Sequence, residues 1–321
     1  GWTGKNLKAC IFEGNPGDEL WRSRTGYERV EDRIKDSFVA VPGSSSHATT
    51  TTAIITNTSD ITDSDEIFQT GFAPEAKIYA ANDYSLESLE WAVTKKKARV
   101  VNQSWHTSDE WNSPVPSYHD VFKDYLVLNY PYPFIASAAG NWWASDGESG
   151  GTGSAAGGDE EYVNHKGYNY IAVGNHEDGK GSMTFGTVWL NPETKHGDRE
   201  LPEICANGGG SDGVTWNGEN RGNGTSFSSP AVAGTALLLQ NADNNLLYWP
   251  EAIRAILFAG AINNVRDDDF TDDKGDKGAK SGTHSGAKNS TQDGAGALNT
   301  RESMKITIKT YLSGRQYPDN T

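Results

Sequence analysis

The chain has 321 residues, 35% of them hydrophobic, and a formal net charge of −15. That length suits one large α/β domain, and residues 1–321 are read as one. The acid excess excludes the basic face that nucleic-acid binding needs, and no apolar run approaches the roughly 18 residues of a membrane span. No leader segment is visible after Gly1, which fits a processed mature chain. The two cysteines, Cys10 and Cys205, lie in apolar strand-like contexts and are expected to be buried free thiols.

In chain order, residues 7–12 read as a short buried strand ending at Glu13-Gly14-Asn15, and residues 38–41 as a second, stopped by Pro42-Gly43. A helix is expected from His47 to about Thr56, although the four threonines 49–52 lower its propensity and make it depend on packing. Strands follow at 76–80, 98–102, 133–137 and 170–173, and helices at 86–93, 118–128 and 249–257. The apolar run 231–239 after the Ser-rich turn is also helical in length, with Ser226 as its N-cap. The Gly-rich stretches 147–158 and 267–294 read as loops. Short buried strands alternating with helices imply a three-layer α/β fold, its mostly parallel central sheet covered by helices on both faces. In such sheets chemistry gathers at the carboxyl ends of the strands, and Glu13, Ser104 and Asn141 all sit just beyond one.

Asn223-Gly-Thr-Ser226-Phe-Ser-Ser-Pro230-Ala-Val-Ala-Gly234 is the most specific string in the chain. A serine at a helix start gains unpaired N–H groups and the positive end of the helix dipole, both favourable to an oxyanion. The string resembles the nucleophile segment of subtilisin-like serine peptidases, in which Ser226 matches the nucleophile. Ser46-His47-Ala48-Thr49 resembles the family's histidine helix, with Thr51, Thr52 and Ala53 where Val-Ala-Gly is usual; His47 matches the general base. The strand ending at Glu13 resembles the segment of the triad acid, with glutamate in place of aspartate. Asp18 is the alternative acid, reachable if residues 14–17 fold back. Ala138-Ala139-Gly140-Asn141 resembles the oxyanion-hole segment. Residues 71–76, 201–206 and 294–299 are similar to further family elements, so the resemblance runs from about Lys8 to about Ser303.

The resemblance implies a serine endopeptidase working through an acyl-enzyme on Ser226, with His47 as base, Glu13 as acid and Asn141 as oxyanion donor. Substrate would pair as an added strand beside Ser104 and Trp105, with His106 following, while Ala139 and Gly140 wall a roomy apolar slot. Trp142 and Trp143 either line the leaving-group side or pack. The implied partners are a protein or peptide substrate and a propeptide or inhibitor removed on maturation, with a secreted or extracytoplasmic location. No cofactor is required for the chemistry. The run 267–276 is read either as structural calcium ligands or, because it lacks spaced ligands and a closing glutamate, as a solvated acidic loop. A specialised relative that transfers the acyl group to an amine and an inactive binding scaffold are the alternative functions.

Overall fold

Apolar runs too short to satisfy their own backbone groups pair side by side, and this chain pairs them in parallel. The computed structural model describes residues 1–14, 16, 33–40, 45–57, 70–141, 161–176, 187–188, 201–208, 214–215, 221–222, 224–262 and 294–309. Asp18, Trp142, Trp143 and the acidic run 267–276 lie outside the described residues, as do residues 147–158. The strands are β1 (Lys8–Phe12), β2 (Ile34–Ser37), β3 (Lys77–Ala81), β4 (Val100–Gln103), β5 (Phe134–Ala138), β6 (Ile171–His176) and β7 (Ile204–Asn207). They form one seven-stranded sheet in the order β2-β3-β1-β4-β5-β6-β7, parallel throughout. A small antiparallel ribbon joins β8 (Val214–Thr215) to β9 (Arg221–Gly222).

The helices are α1 (Ser46–Thr56), α2 (Leu86–Glu90), α3 (Tyr118–Leu128), α4 (Thr225–Ala242), α5 (Pro250–Gly260) and α6 (Thr300–Lys309). Side chains alternate across a strand, so β1 feeds two cores. Ala9 and Ile11 pack with Ile54 and Ile55 of α1, Val232 and Leu239 of α4, and Ile253 of α5. Cys10 and Phe12 pack on the other face with Leu89, Val93, Leu126 and Val127. Helices therefore cover both faces of the sheet. Cys10 and Cys205 are buried and unbridged, and burial pushes the Cys10 thiol far up in pKa.

Two elements depart most from expectation. The second strand is Ile34–Ser37, not 38–41: β2 is a half-exposed edge strand, so its pairing with β3 outweighs hydrophobicity as the deciding factor. Phe38 still donates its N–H to the Ala80 carbonyl at 2.9 Å, but its ring packs edge-on against Trp91. The helix expected at 86–93 is α-helical only to Glu90 and continues as a π turn over Trp91–Lys95.

Candidate active site

Helix α1 begins at a Ser45 cap whose hydroxyl accepts the Ala48 N–H at 3.1 Å, placing His47 in the first turn. Its threonines 49–52 are buried, and Thr49, Thr50 and Thr52 hydroxyls donate back to carbonyls of the preceding turn at 2.7–3.0 Å. Tertiary burial thus offsets their weak helix propensity. Glu13 follows the last residue of β1 and is 2% exposed. One carboxylate oxygen, Oε1, accepts a short hydrogen bond from His47 Nδ1; the other, Oε2, accepts from the Thr51 hydroxyl at 3.1 Å. With Nδ1 engaged, Nε2 is the basic nitrogen of the neutral ring. Burial pulls the His47 pKa down, but the hydrogen bond and charge of Glu13 outweigh it, and the net shift is upward from 6.5.

Ser226 is the second residue of α4, not its cap; the cap is Gly224, at φ +149°. A side chain there would be strained and would meet the Asn141 amide at about 3.0 Å, so close approach and backbone conformation both require glycine. Asn141, just past β5, accepts the Thr225 N–H and hydroxyl through Oδ1 at 2.9 and 3.0 Å. That fixes which way the amide points and leaves Nδ2 as a donor. Among the described residues neither Asn141 Nδ2 nor the Ser226 N–H has an acceptor. The ring of Phe227, next to the serine, lies 5.5 Å from the His47 ring.

A proline four residues after Ser226 shapes this end of the helix. Pro230 has no N–H, so the Ser226 carbonyl lacks its helical donor. The Ser104 hydroxyl at the end of β4 supplies one at 2.8 Å. Ser104 is itself held by Asn102 Nδ2 at 3.1 Å, and Asn102 Oδ1 accepts from Ser229 of α4 at 2.8 Å. In this state the Ser226 hydroxyl donates to the Ser104 carbonyl at 3.2 Å rather than to His47.

A cleft of about 460 Å³ opens beside Ser226 and Asn141. Ser104, Trp105 and Gly140 line it as expected, but Ala139 does not. Alternation along the chain turns Ala139 into a small core with Val163 and Leu201, while Ala138 faces the cleft. Trp105 is anchored as well as lining: its indole N–H donates to the Phe12 carbonyl at 2.6 Å, and its ring meets Phe12 and Tyr84 edge-on. The far wall brings in Trp111, Glu161 and Asn164, so the slot is not purely apolar. Nothing local marks those three residues in the sequence; the fold alone collects them.

Behind that wall lies a buried ionic cluster. Glu110, Asp120 and His165 offer ligand atoms within 4.8 Å of one another, a spacing that suits a cation. The chain supplies its own: Lys123 Nζ reaches Gln103 Oε1 at 2.9 Å, Glu110 Oε1 at 3.1 Å and His165 Nδ1 at 3.0 Å. His165 Nε2 lies 3.0 Å from the Trp105 carbonyl, so it carries the proton and Nδ1 accepts from Lys123. Burial and the Lys123 charge both lower the His165 pKa and keep the ring neutral. Burial opposes ionisation of Glu110 and Asp120, but the neighbouring positive charge prevails and holds both below the ordinary carboxylate range.

A parallel α/β sheet presenting a serine at a helix start among these groups defines the class, a serine peptidase. The chain belongs to the Subtilase family, Peptidase_S8, which it matches over residues 21–296. Solved structures share its fold. The self-cleaved protease domain of PatA is 18% identical, with 95% of this chain and 98% of that one covered at a TM-score of 0.60. The prenylagaramide maturation protease PagA is 18% identical, with 94% and 93% covered at 0.58. A serine protease of Aeromonas sobria is 16% identical, with 96% and 61% covered at 0.60. No match was found by sequence among curated proteins. Among the described residues no helix is long and apolar enough to cross a membrane.

Proposed function

We propose that the chain is an endopeptidase whose triad is Glu13, His47 and Ser226. The observation that carries this reading is the engagement of His47 Nδ1 by Glu13, which leaves Nε2 free to act as base. Ser226 Oγ leaves its bond to the Ser104 carbonyl and attacks the peptide carbonyl as His47 Nε2 takes its proton. The oxyanion then forms between Asn141 Nδ2 and the Ser226 N–H, two donors with no other acceptor among the described residues. Collapse expels the amine with the proton from His47, and water attacking the acyl-enzyme by the same route releases the acid.

Labelling with a fluorophosphonate, read by mass spectrometry, tests this. The expected adduct is on Ser226 alone, absent in Ser226→Ala and slowed in Glu13→Ala. Unslowed labelling of Glu13→Ala would move the acid role to Asp18, and a folded wild type that takes no label would leave a binding scaffold. Product masses from a peptide with a competing amine separate hydrolysis from acyl transfer, the alternative suggested by the likeness to the maturation proteases PatA and PagA. The scheme needs no cofactor; a structural calcium would show as a melting temperature that falls in chelator. A site of action outside the cytoplasm and a removable propeptide belong to the same proposal.

A further inference from the structure

The cleft beside Ser226 holds one group that the reaction does not use. Among the described residues, Glu161 is the one carboxylate of its lining and no lysine or arginine shares it; His106, at the exposed rim, directs Nδ1 at the Thr107 carbonyl. Among the described residues the Glu161 carboxylate has no cationic partner. Its one contact is the Trp111 indole N–H, 3.4 Å from Oε2. Two buried ammonium groups are engaged elsewhere: Lys123 within its cluster, and Lys166 with the carbonyls of Glu110, Val163 and Asn164 at 2.7–2.9 Å. An unpaired carboxylate and an indole in one concave site are the two groups that recognise an organic cation. The position identifies whose cation it is. When the carbonyl attacked by Ser226 has its oxygen at Asn141, the side chain of that same residue enters the adjoining cleft, which is large enough for the longest side chains.

We propose that Glu161, with Trp111, makes this pocket select a lysine or arginine on the acyl side of the scissile bond. The proposal rests on the peptidase reading above. The net charge of −15 acts in the same direction by drawing basic peptides toward the molecule.

Cleavage of a matched peptide series, varied only at the acyl-side residue through Arg, Lys, Leu, Phe and Glu, tests it in wild type, Glu161→Gln and Glu161→Lys. Wild type is expected to give a kcat/KM for Arg and Lys at least about tenfold above Leu and Phe. Glu161→Gln should reduce the Arg/Leu ratio by about 10–100-fold, the loss of a charge-assisted hydrogen bond. Glu161→Lys should raise Glu above Arg. A wild type preferring Leu or Phe, or a Glu161→Gln variant that slows every substrate alike, would overturn the proposal. Fluorophosphonate labelling of Ser226 involves no such side chain and runs alongside. Labelling without basic preference overturns this inference alone, whereas absence of labelling overturns the peptidase reading with it.

Discussion

Thr51 gives Glu13 its second anchor. The Glu13 side chain is nearly inaccessible to water, and among the described residues its Oε2 would have no partner without that hydroxyl. Replacing Thr51 with the similarly shaped valine strands a buried charged acceptor, which costs about 1.5–3 kcal/mol and should lower kcat/KM about tenfold or more. Thr51→Ser should restore it. The pH profile separates positioning from a simple loss of stability. His47 must be neutral to accept a proton, so kcat/KM rises with pH through its titration. Glu13 raises that pKa against the effect of burial, so the wild-type midpoint lies above 6.5. In Glu13→Gln burial alone remains, the midpoint should move below 6.5, and kcat should fall by about 10⁴. An unmoved midpoint would remove Glu13 from the triad role. As candidates, Ser226, His47, Glu13 and Asn141 stand out in the sequence because each sits in a local string. Thr51 was legible only as a weak helix former, since its partner lies 38 positions away. Glu161 and Trp111 carried no signal at all, because their significance is purely spatial.

At the scale of the element, helix α4 is joined to strand β4 by polar side chains as well as by apolar packing. The Ser104 hydroxyl stands in for the N–H that Pro230 lacks. Ser104→Ala should therefore strand the Ser226 carbonyl and cost about 1–3 kcal/mol, read as a lower urea midpoint with an unchanged slope. Ser104→Thr, which keeps the hydroxyl, should retain most of the stability. The existence of α4 was plain from its apolar run, but its first residue was not. Ser226 has the composition of a cap, yet Gly224 alone tolerates both the backbone angle and the closeness of Asn141. Helix α3 has the bounds expected from the sequence, and the Ser117 capping box fixes its start. Edge strand β2 was misplaced by a few residues because half its side chains face water.

Across the whole molecule, the sheet was legible from alternating strands and helices, with β7 visible only as the strand-like context of Cys205, whereas helix α6 and the buried ionic cluster were not. That cluster unites residues from 103 to 170, each unremarkable in its own segment. It should dominate the response to acid. His165 has a depressed pKa, so the unfolded chain binds its proton first and stability declines as pH falls below about 6.5. Glu110 and Asp120 are also depressed, so their contribution is complete above the ordinary carboxylate range and is lost as pH falls through their folded values. Lys123→Met should cost about 3–5 kcal/mol at neutral pH, because it leaves two carboxylates buried beside each other. Thermal unfolding of the two proteins between pH 4 and 8 checks both statements, with the variant's deficit shrinking toward low pH. The order of the elements along the chain has a further consequence. Every strand of the seven-stranded sheet precedes α4, so a ribosome delivers Glu13 and His47 long before it delivers Ser226. A half-made chain therefore has a sheet face still uncovered and no nucleophile. Helix α4 therefore delivers Ser226 together with much of the apolar cover of that face, and α5 completes the cover afterwards.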